Sequence, residues 1–124
     1  MTVQELYTNI GGDYAAAKKI LMMDKMISRF IVKLLDDKSC PRLLEAGETM
    51  DPVGLFEGAH ALKGVCGNLG LLSLSKAAGV ITEEFRPGHA RAMSDAEVGE
   101  QLDAIRTQYQ KTIEGIRAYQ AAQG

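Results

Sequence analysis

Apolar residues recur every three or four positions along most of the chain, and sustained apolar–polar alternation is almost absent. The three- to four-residue spacing is typical of amphipathic α-helices, whereas alternation would indicate strands. The pattern therefore predicts an all-α fold. Gly11 and Gly12 end a weak first helix over residues 3–10, and Asp13 and Asp24 are candidate caps for the two stretches that follow. The pattern leaves open whether these two stretches form one bent helix or two.

The later part of the chain carries three clear helix starts. Pro41 suits the first position of a short helix that reaches about residue 48, because proline has no N–H to lose there. Asp51-Pro52 starts a helix over about 52–69, and Ser94-x-x-Glu97 forms a capping box for the last helix. The apolar stripe of the 52–69 helix consists of Leu55, Ala59, Leu62, Cys66 and Leu69. The two stripes after it are Leu71, Leu74, Ala78, Ile81 and Phe85, and Val98, Leu102, Ile105, Tyr109, Ile113 and Ile116.

Short connections between long helices favour antiparallel packing of neighbours. We therefore expect residues 1–124 to form one domain, an up-down antiparallel four-helix bundle with additional short N-terminal helices. The two cysteines, Cys40 and Cys66, form no Cys-x-x-Cys pair and have no histidine at metal-ligand spacing. Because Cys66 lies in an apolar stripe, we expect a reduced core thiol and no disulfide.

Composition and charge argue against several classes of function. The formal net charge is −2, with acidic and basic residues mixed along the chain, so no basic face for nucleic acid or anionic lipid is predicted. The longest apolar runs are far shorter than the roughly 20 residues that a membrane span needs. No secretory signal pattern opens the chain, and we therefore expect a cytoplasmic location.

Several other groups are predicted to have structural or solvent-exposed roles only. Adjacent acids on a helix point about 100° apart, so two acidic pairs are expected on a solvated face or at a helix end. These pairs are Asp36-Asp37 and Glu83-Glu84. His89 falls in the connection over residues 86–91 and is expected to be a solvated loop residue. The methionines expected to fill the core are Met22, Met23 and Met26.

One residue of the 52–69 helix is not explained by core packing. At about 100° per residue, His60 lies about 160° from Leu62, so its imidazole is predicted to face solvent. The residues predicted on or beside its face are Val53, Phe56, Glu57, Lys63, Gly64 and Gly67. A mid-helix glycine costs about 0.8–1 kcal/mol relative to alanine. The two glycines therefore indicate a surface kept bare for another protein, and the two apolar side chains suit a docking patch.

This arrangement suits phosphoryl transfer. A neutral imidazole offers one nitrogen as a nucleophile while the other keeps its proton. The transition state is loose, so positioning and charge neutralisation do most of the work, and Lys63 can supply an ammonium group for a phosphoryl oxygen. Most surface histidines have no function, and glycine pairs more often mark close helix packing. The position of His60 off the apolar stripe favours the functional interpretation.

Residues 59–70, AHALKGVCGNLG, resemble the signature of the histidine-containing phosphotransfer (HPt) family, whose core pattern is A-H-x-L-K-G, commonly followed by N-L-G. The resemblance implies that His60 is the phosphoacceptor, with attachment at Nε2. It implies that Lys63 steadies the phosphoryl group and that Gly64 clears the face for a receiver domain. Asn68, about 80° around the helix from His60, is assigned to the surrounding docking surface.

The resemblance implies a phosphorelay protein that accepts a phosphoryl group from one receiver aspartate and passes it to another. Its partners would be receiver domains of response regulators or hybrid histidine kinases, which would supply Mg²⁺. The chain itself is expected to be a monomeric phosphocarrier without a cofactor, a metal site or an ATP-binding kinase domain. Two alternatives stay open: a receiver-docking module that carries no phosphate, and the HPt domain of a larger hybrid sensor kinase. A metal-dependent bundle enzyme is disfavoured, because it would need carboxylates and histidines in a Glu-x-x-His spacing at inward-facing positions, and none is predicted there.

Overall fold

The described chain, residues 1–123 of a computed structural model, is a bundle of seven α-helices and one short 3-10 turn, without strands. This confirms the prediction of an all-α helical bundle. The helices are α1 (Val3–Ile10), α2 (Tyr14–Leu21), α3 (Asp24–Lys33), α4 (Ser39–Thr49), α5 (Pro52–Asn68), α6 (Leu72–Glu84) and α7 (Asp95–Gln123). The 3-10 turn, Leu34–Asp36, directly follows α3.

The stretches that follow α1 form two helices rather than one. Gly11, with φ +70°, ends α1, and the Asp13 carboxylate caps α2 by accepting the Ala16 N–H at 2.9 Å, both as predicted. The chain then turns at Met22, whose φ is +74°. The prediction that Asp24 caps α3 is wrong. It is the first residue of α3, and its carboxylate instead accepts hydrogen bonds from the Tyr14 hydroxyl and the Lys18 ammonium group of α2.

Helices α4 to α7 form a ring in which each helix packs against two others, α4 and α6 each contacting both α5 and α7. Gly58 of α5 lies against Leu43 of α4, and Gly54 lies against Ala46, so these two helices run in opposite directions. Helices α6 and α7 are joined by a hydrogen bond of 3.1 Å from the Gln101 side chain to the Ala77 carbonyl. The predicted apolar stripes line the inside of this ring, with Tyr109 and Ile113 only partly buried.

Two expectations about the N-terminal half are wrong. Met22 and Met23 are 74% and 54% exposed, because they lie in the turn between α2 and α3, outside the inward face of either helix. Met26 is half-buried. Pro41 is the third residue of α4 rather than its first, because the helix begins at Ser39.

Glu84, expected in solvent, is buried at the end of α6. Its carboxylate accepts hydrogen bonds from the Met93 N–H at 2.7 Å, the Ala92 N–H at 2.9 Å and the Arg91 side chain at 3.2 Å. These bonds, the one from Met93 first, hold the pKa of Glu84 below its ordinary value. The carboxylate thereby fastens the connection between α6 and α7 to the end of α6.

Because these donors favour the ionised form, Glu84 stabilises the fold above its ordinary pKa of about 4.5, and the contribution is lost as the pH falls through the lower folded pKa. We expect Glu84→Gln to lower the melting temperature at pH 7. The difference from wild type should shrink below pH 4.5. Glu100→Gln, on an exposed part of α7, is the control and should leave the melting temperature unchanged. A Glu84→Gln difference that stays constant down to pH 2 would contradict this role.

Both cysteines are free and fully buried in the described core. Burial raises the pKa of each thiol to about 12, so both are protonated near neutral pH. This agrees with the predicted reduced core thiol at Cys66.

None of the helices within residues 1–123 is both long enough and apolar enough to cross a membrane.

Candidate functional site

Helix α5 carries the candidate site and is held firmly on two sides. Towards α4, a Cβ at Gly58 would lie 2.9 Å from the Leu43 Cα, so only glycine allows the two backbones to come this close. Towards α6, the Ser75 hydroxyl donates a hydrogen bond of 2.9 Å to the Lys63 carbonyl. The buried residues of α5 and its end are Leu55, Gly58, Ala59, Leu62, Cys66 and Leu69. The opposite strip of α5 faces solvent.

His60 lies on this strip and is exposed, as predicted. Its imidazole stacks on the Phe56 ring one turn earlier, with ring centroids 5.6 Å apart and an interplanar angle of 11°. The expectation that Phe56 is an exposed docking residue is wrong in part, because its ring is half-buried and covered by a neighbour. That neighbour is Arg86, two residues after the end of α6, whose guanidinium carbon lies 5.5 Å from the centroid of the phenyl ring.

Lys63 is exposed one turn after His60, on the side of α5 that faces α6. Its methylene groups pack against Gly79 of α6. A Cβ added at Gly79 would lie 3.7 Å from both Cδ and Cε of Lys63. Arg86, followed by the charges of Lys63 and His89, holds the pKa of Glu83 below its ordinary value. No carboxylate of the described residues lies within 4 Å of the Lys63 ammonium group, which is therefore available to an anion near His60.

The four glycines of α5 have different roles. An added Cβ at Gly64 would meet no described atom within 4 Å, so this position opens directly to solvent. A Cβ at Gly67 would lie 3.4 Å from the Ser75 hydroxyl oxygen, and Gly67 is half-buried. Gly54 and Gly58 pack against α4. The bare surface predicted beside His60 is therefore present at Gly64. At Gly67 it is partly covered by Ser75, so the bare surface is smaller than predicted.

The remaining predicted docking residues surround this strip. Val53 is 64% exposed, and Glu57 and Asn68 are also exposed. Asn68 borders an apolar groove to which Ile20 and Phe30 of α2 and α3 contribute. The local sequence pattern does not indicate this groove, because it forms between side chains of different helices.

Two other polar residues considered from the sequence, Glu83 and His89, line one surface hollow together with Lys63. His89 is exposed in the connection between α6 and α7, as predicted. Across residues 1–123, no three His, Cys, Asp or Glu side chains come together in a way that could hold a metal ion.

The Hpt domain family model matches residues 26–118, which is more than half of the 124-residue chain. No curated protein and no solved structure matches the chain at a significant level. The chain therefore belongs to the Hpt domain family, a family of helical bundles with a phosphotransfer role in two-component signalling. Members of this family interact with receiver domains and are phosphocarriers rather than kinases. The matched region begins within α3 and contains the whole of α5, whereas α1 and α2 precede it.

Proposed function

We propose that this chain is a phosphorelay intermediate that accepts a phosphoryl group from a receiver aspartate on His60 and passes it to a second receiver aspartate. One observation carries the proposal: within the A-H-x-L-K-G run, the imidazole is exposed on a helix strip whose next turn is open at Gly64. Family membership supplies the reaction class. The exposed acceptor explains how a partner's active site can reach it.

In the proposed reaction, the lone pair of one His60 ring nitrogen attacks the phosphorus of the receiver's aspartyl phosphate. A nitrogen–phosphorus bond forms as the phosphorus–oxygen bond to the aspartate breaks, and the electron pair leaves with the aspartate as its carboxylate. The second transfer reverses these changes on another receiver. Because the transition state is loose, the main needs are alignment of the three atoms and neutralisation of phosphoryl charge.

Lys63 meets part of the second need. Its ammonium group lies one turn from His60 without a carboxylate partner within the described chain. The methylene groups of its side chain pack against Gly79. We propose that the receiver brings the Mg²⁺ and that this chain contributes no cofactor of its own. We further propose that residues 1–124 act as a single domain, as a cytoplasmic monomer, on receivers of response regulators or hybrid kinases.

The direct test is phosphotransfer from receiver domains of the source organism, each charged with acetyl phosphate and mixed with this chain and Mg²⁺. We expect the chain to gain phosphate that is labile in acid and stable in base, as phosphohistidine is, and to lose it when a second, uncharged receiver is added. Peptide mapping should place the phosphate on His60. If no receiver transfers phosphate but one binds, the chain is instead a docking module without phosphocarrier activity. The presence of both His60 and Lys63 argues against that alternative.

A second alternative, an HPt domain within a larger hybrid kinase, leaves this chemistry unchanged.

The open surface at Gly64 makes a specific prediction. We expect Gly64→Glu to reduce the rate of transfer from the receiver by about tenfold or more, since like charges and lost fit at an interface cost several kcal/mol. Gly99→Glu is the matched control, because Gly99 is also a helical glycine with no described atom within 4 Å of an added Cβ. Both variants should keep wild-type helicity by circular dichroism. Equal transfer rates in the two variants would contradict a docking role for the Gly64 surface.

A further inference from the structure

The rings of His60 and Phe56 lie almost parallel, at an interplanar angle of 11°. An exposed histidine without such a neighbour can turn freely about both side-chain bonds, and the direction of its nitrogen lone pair then varies. Stacking favours one ring plane, since offset parallel aromatic rings attract each other. In this chain the stacking partner is itself held in place.

Phe56 is held by a short chain of contacts from α6. The Arg86 guanidinium carbon lies 5.5 Å from the centroid of its ring, a cation–π distance. Two hydrogen bonds fix that guanidinium group on Glu83, from Nε at 3.1 Å and from Nη2 at 2.7 Å. A two-point contact of this kind sets the plane of the guanidinium group as well as its position.

The order of the helices makes this chain of contacts possible. Helices α5 and α6 are antiparallel neighbours, because Lys63 lies beside Ser75 and Gly79 while Phe56 lies beside Arg86. The end of α6 is thereby placed next to the first turns of α5. Glu84, one residue after Glu83, holds the connection that follows α6 through its hydrogen bonds to the Ala92 and Met93 N–H groups. The Glu83–Arg86 pair therefore lies at a helix end that is held in place.

We infer that Phe56, held by Arg86 and Glu83, is a positioning residue that sets the ring plane of His60 for in-line phosphoryl transfer. The inference rests on the proposed function of His60 and names residues outside the A-H-x-L-K-G run. Phe56 stacks on the imidazole and supplies no nucleophile or charge of its own, so it acts through His60. A fixed ring plane raises the fraction of encounters in which the attacking nitrogen points at phosphorus.

The test uses Phe56→Leu, with Phe56→Tyr as the conservative variant and Val53→Ala as the matched control. Val53 is an exposed apolar residue on the same helix strip, so its truncation removes docking surface without removing the stacked ring. We expect Phe56→Leu to abolish the ring-current shift of the His60 imidazole protons in the free protein, measured by NMR. Its maximal single-turnover transfer rate should fall by about two- to tenfold, the effect of losing one aromatic pair.

The half-saturating receiver concentration should stay unchanged in Phe56→Leu, and Phe56→Tyr should restore both the proton shift and the rate. Val53→Ala should leave the proton shift intact and change the half-saturating concentration alone. Because Phe56 is half-buried, Arg86→Gln provides a second variant that leaves the aromatic ring in place, and it should give a smaller loss of the same kind. Wild-type rates in Phe56→Leu, or a loss confined to the half-saturating concentration, would overturn the inference. The proposed function fails separately, if His60→Gln still accepts phosphate.

Discussion

His60→Gln is expected to abolish phosphate uptake from charged receivers while leaving the helical bundle intact. Glutamine has no ring nitrogen that could form the nitrogen–phosphorus bond, so no slower version of the same reaction remains. The side chain is exposed, so its replacement disturbs no core contact, and surface substitutions usually change stability by less than about 0.5 kcal/mol. The measurement is uptake of labelled phosphate, with circular dichroism recorded on the same samples.

His89→Gln is the matched control for this experiment. His89 is the second of two histidines and is also exposed, but it lies in the connection between α6 and α7 rather than on α5. We expect His89→Gln to take up phosphate at the wild-type rate. Uptake by His60→Gln at that rate would show that another residue is the acceptor, and loss of uptake in both variants would show that the assay does not report on the acceptor alone.

The largest expected effect on stability is at Gly70, between α5 and α6. Its φ of +70° disfavours every residue with a Cβ, and an added Cβ would collide with the Asp13 carbonyl oxygen and lie 3.0 Å from the Ala17 nitrogen. These are backbone atoms of α2 and its cap, so they cannot rotate away. The Gly70 carbonyl in turn accepts the Asp13 N–H at 2.8 Å, which ties the start of α2 to this turn.

A matched substitution at Gly11 separates the cost of backbone strain from the cost of steric overlap in Gly70→Ala. Gly11 has the same φ of +70°, yet a Cβ there would meet no described atom within 4 Å. We expect Gly11→Ala to cost about 1–2 kcal/mol of unfolding free energy from backbone strain alone. Gly70→Ala should cost about 1–3 kcal/mol more, because overpacking adds to the strain. Urea denaturation of both variants measures the difference, and equal losses would show that α2 moves aside without cost.

Much of the site could be predicted from sequence because its signals are local. The spacing of Leu55, Ala59 and Leu62 defines the buried side of α5, and the exposure of His60 follows from helix geometry alone. The start of α5 at Pro52 and the open position at Gly64 follow in the same way.

The features that could not be predicted depend on the tertiary structure. Glu84 becomes buried because its partners, the N–H groups of Ala92 and Met93, lie eight and nine residues later in a loop that folds back. Nothing in the local pattern distinguishes it from the exposed Glu83. Similarly, the sharp turn at Met22 carries no glycine that would mark it, so the spacing of apolar residues leaves open whether α2 and α3 form one bent helix or two.

The close packing of α5 against α4 affects how a receiver would recognise the phosphorylated state. Gly58 lies against the Leu43 backbone and the Lys63 carbonyl accepts a hydrogen bond from Ser75, so a shift of this helix would break contacts on both sides. A phosphoryl group on His60, on the opposite side of that helix, would add about two negative charges at the surface. The packing of the core would be left unchanged. The phosphorylated state of such a carrier would differ from the free state by a single labile bond. A receiver would distinguish the two states by charge and reactivity rather than by a change of shape.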